Sequence, residues 1–143
     1  MEERAELMSG SGLISVRASG IHGLGCFAAA EIPAGTVVIE YRGELIDRAE
    51  ALRRDDRGRP GSSPYVLNVS EDLYIDGAVG GNEARFINHS CEPNCRVRRV
   101  GGRAWIVAAR TITEGEELSF DYDYEGDPQG PCRCGARSCR GYL

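Results

Sequence analysis

Between residues 13 and 122 the apolar side chains gather into short runs: "LISV" (13–16), "TVVIEY" (36–41), "YVLNV" (65–69), "LYID" (73–76), "AWIVAA" (104–109) and "ELSFDY" (117–122). Runs this short, rich in β-branched and aromatic residues and separated by Gly and Pro, predict a mostly β domain. "IPAG" (32–35) and "TEGEE" (113–117) carry turn chemistry. One α-helix is predicted: Asp47 caps "RAEALRRDD" (48–56), and the polar loop "RGRPGSSP" (57–64) follows. "NEARFIN" (82–88) suits one or two helical turns.

With 143 residues the chain fits one domain. No apolar run approaches the ~20 residues of a membrane span, so no membrane role is expected. The opening "MEERAELMSGSG" (1–12) is acidic and polar, reads as a flexible lead, and does not resemble a signal peptide. Six Cys in such a chain suggest thiols or metal ligands in an intracellular protein rather than disulfides. A net charge of −5 disfavours duplex DNA and suits a basic peptide as partner. All 17 basic residues are Arg, which fits either codon bias or a protein that avoids the residue it modifies.

From Glu125 onward the chain is rich in Gly, Pro and Cys and poor in material for a core. Cys132, Cys134 and Cys139 form a C-x-C-x4-C pattern. Three thiolates close together suit tetrahedral zinc, whose structural sites take four ligands. Cys91 or Cys95, in "RFINHSCEPNC" (85–95), is the candidate fourth ligand. Metal binding would then pin the tail to that segment. Cys26, in "GCFAA", reads as a small core residue.

Three blocks together resemble the SET domain, the protein-lysine methyltransferase family: "GIHGLGCFAAAEIPAGTVVIEYRGELI" (20–46), "GNEARFINHSCEPNC" (81–95) and "GEELSFDYDY" (115–124). The cysteine tail resembles a post-SET segment, and the closest likeness is to histone-methylating branches. The resemblance implies a β+α fold of several small sheets with a knot-like active site, in which "RFINHS" and "ELSFDY" thread past each other. It divides the chain into a lead (1–12), a SET domain (13–124) with a variable insert lining the peptide groove (45–64), and a zinc-bound tail (125–143).

The resemblance also implies roles. His22, Gly23, Leu24 and Gly25 match the turn that wraps S-adenosylmethionine, and Tyr65, Arg85, Asn88 and His89 match further cofactor positions. Asn88 would hold the methionine ammonium, and the backbone of His89 would read the adenine. Tyr122 matches the catalytic tyrosine, Tyr41 a tyrosine of the lysine channel, and Phe120 a position that sets how many methyl groups are added. The implied structural zinc is held by Cys91, Cys132, Cys134 and Cys139. Glu83, Gly77 and Val107 depart from the usual pattern at positions without a catalytic role.

The expected activity is methyl transfer from S-adenosylmethionine to a lysine of a basic protein or peptide, a histone tail above all, ending at di- or trimethyl-lysine. The expected protein is a monomer without sequence-specific nucleic-acid binding, nuclear in a eukaryotic or viral setting and cytoplasmic in a bacterial one. The alternatives are a non-histone substrate or a catalytically silent, zinc-dependent peptide-binding module. A nucleic-acid-binding zinc module fits the acidic balance poorly. Asp123, Glu125 and Asp127 either attract a basic tail or form a solvated loop.

Overall fold

"CRVRRVGGRAWIVA" folds into a hairpin because it ends its first strand on two glycines. Gly101 and Gly102 both take positive φ, 58° and 79°, which a tight turn matching the strand twist requires. The computed structural model, which describes residues 11–20, 23–54 and 65–121, builds its main sheet on this hairpin. In chain order the strands are β1 (Ile14–Ala18), β2 (Leu24–Ala28), β3 (Val37–Glu40), β4 (Glu44–Asp47), β5 (Val66–Ser70), β6 (Leu73–Asp76), β7 (Asn88–His89), β8 (Cys95–Val100), β9 (Arg103–Ala108) and β10 (Ser119–Phe120).

β9 lies between β8 and β3, antiparallel to both, with Arg103 opposite Val100 and Ile106 opposite Ile39. Alternation puts Ala104, Ile106 and Ala108 of β9 on the core side. β1 and β2 form a second, antiparallel pair, and β4, β6 and β5 form a third sheet. The main core joins these sheets through Ile32, Val38, Ile39, Ile87, Ile106, Ile112, Leu118 and Phe120, all buried. Cys26 is fully buried there, as its apolar neighbours predict; burial pushes its thiol up to about 12.

Helix α1 (Arg48–Arg54) begins where its cap residue predicts: the Asp47 carboxylate accepts from the Glu50 N–H at 2.8 Å. Its buried Ala51 joins Ile46, Val66 and Tyr74 in a small second cluster. Arg54 anchors the helix, donating to Glu50 (2.7 Å), Glu44 (2.9 Å) and the buried Asp76 (2.9 Å). "NEARFIN" gives one 3-10 helix, Glu83–Phe86, capped by Asn82.

The two predicted turns form as expected, with Gly35 at φ 86° and Gly115 at φ 89°. The second turn is braced from within: the Glu116 carboxylate accepts from Arg110, from the Thr113 N–H at 2.9 Å and from the Thr113 hydroxyl at 3.0 Å. The Arg110 guanidinium, with lesser help from Thr113, holds the Glu116 carboxyl down to about 2.

Candidate active site at the crossing of two segments

Residues 116–120 leave that turn and thread between two elements. Ala28 N–H donates to Glu116 O at 2.9 Å and Leu118 N–H to Cys26 O at 2.8 Å, so the first part runs along β2. The next two residues form β10 and pair in parallel with β7, Ser119 beside Asn88 and Phe120 beside His89. A parallel pair needs a long connection between its strands, and the β8–β9 hairpin fills it. The expected meeting of "RFINHS" with "ELSFDY" is therefore present.

The crossing is held by a side chain standing in for a peptide group. Asn94 is 3% exposed; its Nδ2 donates to Glu117 O at 2.9 Å, and its Oδ1 accepts from Ser119 N–H at 2.9 Å. In the sequence, Asn94 follows Pro93, a pair that suits a turn. Its second role, reaching a strand more than twenty residues away, leaves no local pattern.

At the same crossing, Asn88 Nδ2 donates to three oxygens: Leu24 O (3.0 Å), Glu117 Oε2 (3.0 Å) and Ser19 Oγ (3.2 Å). Carbonyl and carboxylate oxygens only accept, so they select the NH2 end of the amide and fix its orientation. Ser19 in turn donates to the Glu117 carboxylate at 2.8 and 3.0 Å. Gly25 makes room for this arrangement: a Cβ there would stand 2.3 Å from Glu117 Oε2. Gly23 takes φ 49°, and its carbonyl accepts from Ser19 N–H at 2.8 Å. Leu24 contributes its carbonyl while its side chain is exposed. Ser19 and Glu117 were not picked out from the sequence, where Glu117 read as part of a turn.

His89 is buried at the crossing, with Nδ1 3.6 Å from Asp121 Oδ1 and Nε2 3.3 Å from Cys91 Sγ. Phe120 is buried in the main core. A second group lies across the 3-10 helix Glu83–Phe86. Tyr41 is buried and donates its hydroxyl to Tyr65 O at 2.8 Å, a carbonyl that also accepts from Gly77 N–H at 2.8 Å. The Tyr65 ring meets Phe86 edge-on at 6.4 Å, and the Arg85 guanidinium lies over Phe86 at 4.7 Å. The helix touches both groups: Cys26 Sγ donates to Glu83 O at 3.1 Å, and Arg85 Cβ borders the space left open by Gly77. Of the residues that depart from the family pattern, Val107 is a buried strand residue and Gly77 lies against Tyr41.

His22, Tyr122, Cys132, Cys134 and Cys139 lie outside the described residues, as do the acidic residues beyond Asp121. Among the described residues no group of three or more His, Cys, Asp or Glu is placed to hold a metal. Cys91 is half-buried, whereas Cys95 is 1% exposed, and burial pushes its thiol up to about 12. Among the described residues, no helix is long and apolar enough to cross a membrane.

A family model described as "SET domain" matches residues 23–123, which include the crossing and every residue of the two groups except Ser19. The chain belongs to the SET-domain family. This SET domain is 47% identical over 133 residues to a histone-lysine N-methyltransferase, H3 lysine-4 specific, of Schizosaccharomyces pombe, covering 87% of the chain and 14% of that relative. It is 42% identical to the histone-lysine N-methyltransferase trithorax of Drosophila virilis, over 91% of the chain and 4% of the relative. It is 41% identical to the human histone-lysine N-methyltransferase 2B, over 91% of the chain and 5% of the relative. The chain thus spans a small fraction of these relatives. A solved structure of a humanized mutant of the Chaetomium thermophilum Polycomb Repressive Complex 2 superposes with a TM-score of 0.69 and 32% identity, over 79% of this chain and 15% of that one.

Proposed function

We propose that this SET domain transfers methyl groups from S-adenosylmethionine to a lysine side chain, with a histone H3 tail as substrate. The observation that carries the reading is the oriented Asn88 amide beside the Gly23–Gly25 turn, at the crossing with β10. An amide whose NH2 end is taken by acceptors has its oxygen, not its nitrogen, to offer a ligand, and an oxygen is what an ammonium group requires. The named relatives support the histone substrate, and chromatin as the place of action makes a eukaryotic chain nuclear.

S-adenosylmethionine, when bound, supplies the activated methyl group. Gly23, with open space where a Cβ would stand, lets the backbone approach such a ligand, Gly25 makes room for the Glu117 carboxylate behind it, and Asn88 takes the ammonium end. Tyr41 forms part of the lysine channel, its hydroxyl held by the Tyr65 carbonyl so that the ring stays fixed. An aromatic channel beside a cation disfavours the ammonium form of lysine, whose ordinary pKa is about 10.4. Holding the neutral amine in line with the methyl group then lowers the barrier by positioning.

The deciding experiment incubates the chain with S-adenosylmethionine and histone H3 tail peptides and follows lysine masses. Methylated lysine is the expected product. Cofactor binding without transfer to H3, other histones or cell-extract proteins would instead favour a silent binding module. The same assay reads Phe120. A Tyr hydroxyl there would hold a water that a methylated amine needs displaced, and displacing an ordered water without replacing its hydrogen bonds loses free energy. Wild type should reach di- or trimethyl-lysine, and Phe120→Tyr should shift the product toward monomethyl-lysine. An unchanged distribution would remove Phe120 from the channel.

One structural zinc on Cys91, Cys132, Cys134 and Cys139 completes the reading. Cys91 fits better than Cys95, whose thiol is sealed in the core. Cys91→Ser should lose the metal and at least about tenfold in activity, while Cys95→Ser should keep the metal. Metal analysis of both variants checks the assignment, and the opposite pattern would reverse it.

A further inference from the structure

We infer that Glu117 is a positioning residue for cofactor binding: its carboxylate, braced by Ser19 and accommodated by Gly25, orients the Asn88 amide toward the methionine ammonium. The inference rests on the proposed role of Asn88 and extends it to a residue outside the cofactor set. Glu117 Oε2 lies 3.0 Å from Asn88 Nδ2 and 2.8 Å from Ser19 Oγ, and Oε1 lies 3.0 Å from Ser19 Oγ. Both carboxylate oxygens are therefore engaged, and the group has one place to sit.

The Glu117 backbone cannot shift to relax the contact. It bridges Phe27 of β2 on one side, and its carbonyl accepts from Asn94 on the other. Any side chain at 25 would displace the carboxylate, since a Cβ would meet Oε2 at 2.3 Å and Cδ at 3.1 Å. Three elements thus converge on one orientation of one amide: the turn before β2, the crossing segment and β7. An Asn amide without such acceptors can rotate and offer a donor to the ammonium, which repels it. With Glu117 in place the amide meets the ligand already oriented, so less ordering is left to the binding step.

The test measures S-adenosylmethionine affinity by calorimetry for wild type, Asn88→Ala, Glu117→Met, Glu117→Gln and the Asn88→Ala/Glu117→Met double variant. Met fills the volume of Glu without an acceptor oxygen, whereas Gln restores one. Glu117→Met should bind about tenfold more weakly. Glu117→Gln should recover most of that loss, and the double variant should bind like Asn88→Ala alone. Wild type without binding would overturn the cofactor reading and this inference with it. Wild type that binds, with Asn88→Ala weakened but Glu117→Met unchanged or additive, would overturn the inference alone. If Glu117→Met fails to fold, Ser19→Ala carries the test: it loosens the same carboxylate, should cost about threefold, and should cost nothing further when Asn88 is already Ala. Ser19→Ala binding like wild type would then overturn the inference.

Discussion

Asn94→Ala should lower the free energy of unfolding by about 3 kcal/mol, because it leaves two backbone groups, one buried and one half-buried, without partners at ~1–3 kcal/mol each. The groups are Ser119 N–H and Glu117 C=O, consecutive links of the segment that crosses β7. Neither has slack to find a new partner, since Leu118 between them already donates to Cys26 O and is itself fully buried. Asn94→Asp separates the two contacts. Its ionised carboxylate still accepts from Ser119 N–H but faces the Glu117 carbonyl with a second acceptor. When protonated, the acid offers one donor and one acceptor and reproduces the amide. The Asp variant should therefore approach wild-type stability at low pH and lose it as pH rises through the side chain's pKa, whereas the Ala variant should show no such recovery. Urea denaturation across a pH series checks both. A loss under ~1 kcal/mol for Asn94→Ala would mean that water replaces the amide.

The elements visible in the sequence were those with a local cause. β6 matches the run "LYID", the strands at 37–40, 66–70 and 103–108 fall on their runs, and Asp47 caps α1 as read. Four strands carried no such mark. β2 begins on a glycine-rich turn, and its "LGCFA" lacks alternation because it is buried almost throughout. β8, "CRVRRV", is so rich in Arg that it does not read as sheet, although those side chains face solvent on an edge strand, where charge is favourable. β4 is a four-residue edge strand, exposed at all but Ile46. β7 has only two residues, and its partner lies 31 positions away. The family resemblance located the crossing, but not what holds it. Asn94 and Glu117 act on residues distant in sequence, and Pro93 and Gly115 close by suggest turns.

Tyr122→Phe should reduce the rate of methyl transfer by about 10²–10³-fold, the usual consequence of deleting one oriented polar group beside the reacting atoms. It should leave cofactor affinity near the wild-type value. The separation follows from where each task sits. Cofactor affinity is assigned to the Gly23–Gly25 turn and the oriented Asn88 amide, none of which depends on a hydroxyl at 122. The amine, in contrast, enters neutral and must be held in line with the methyl group, and we assign that task to the hydroxyl of Tyr122, the residue that matches the family's catalytic tyrosine. The segment leading to Tyr122 is suited to that demand. Phe120 is buried in the core, paired in register with His89, and accepts from Ser90 N–H at 3.2 Å. Two residues of fixed backbone therefore precede Asp121, which itself lies near the His89 ring. A hydroxyl delivered from such a base needs little reorganisation during the reaction. Single-turnover rates at saturating cofactor, with calorimetric affinities beside them, distinguish the roles. A variant that keeps most of its rate would take the chemistry away from Tyr122, and one that loses cofactor affinity in step with rate would make it a binding residue instead.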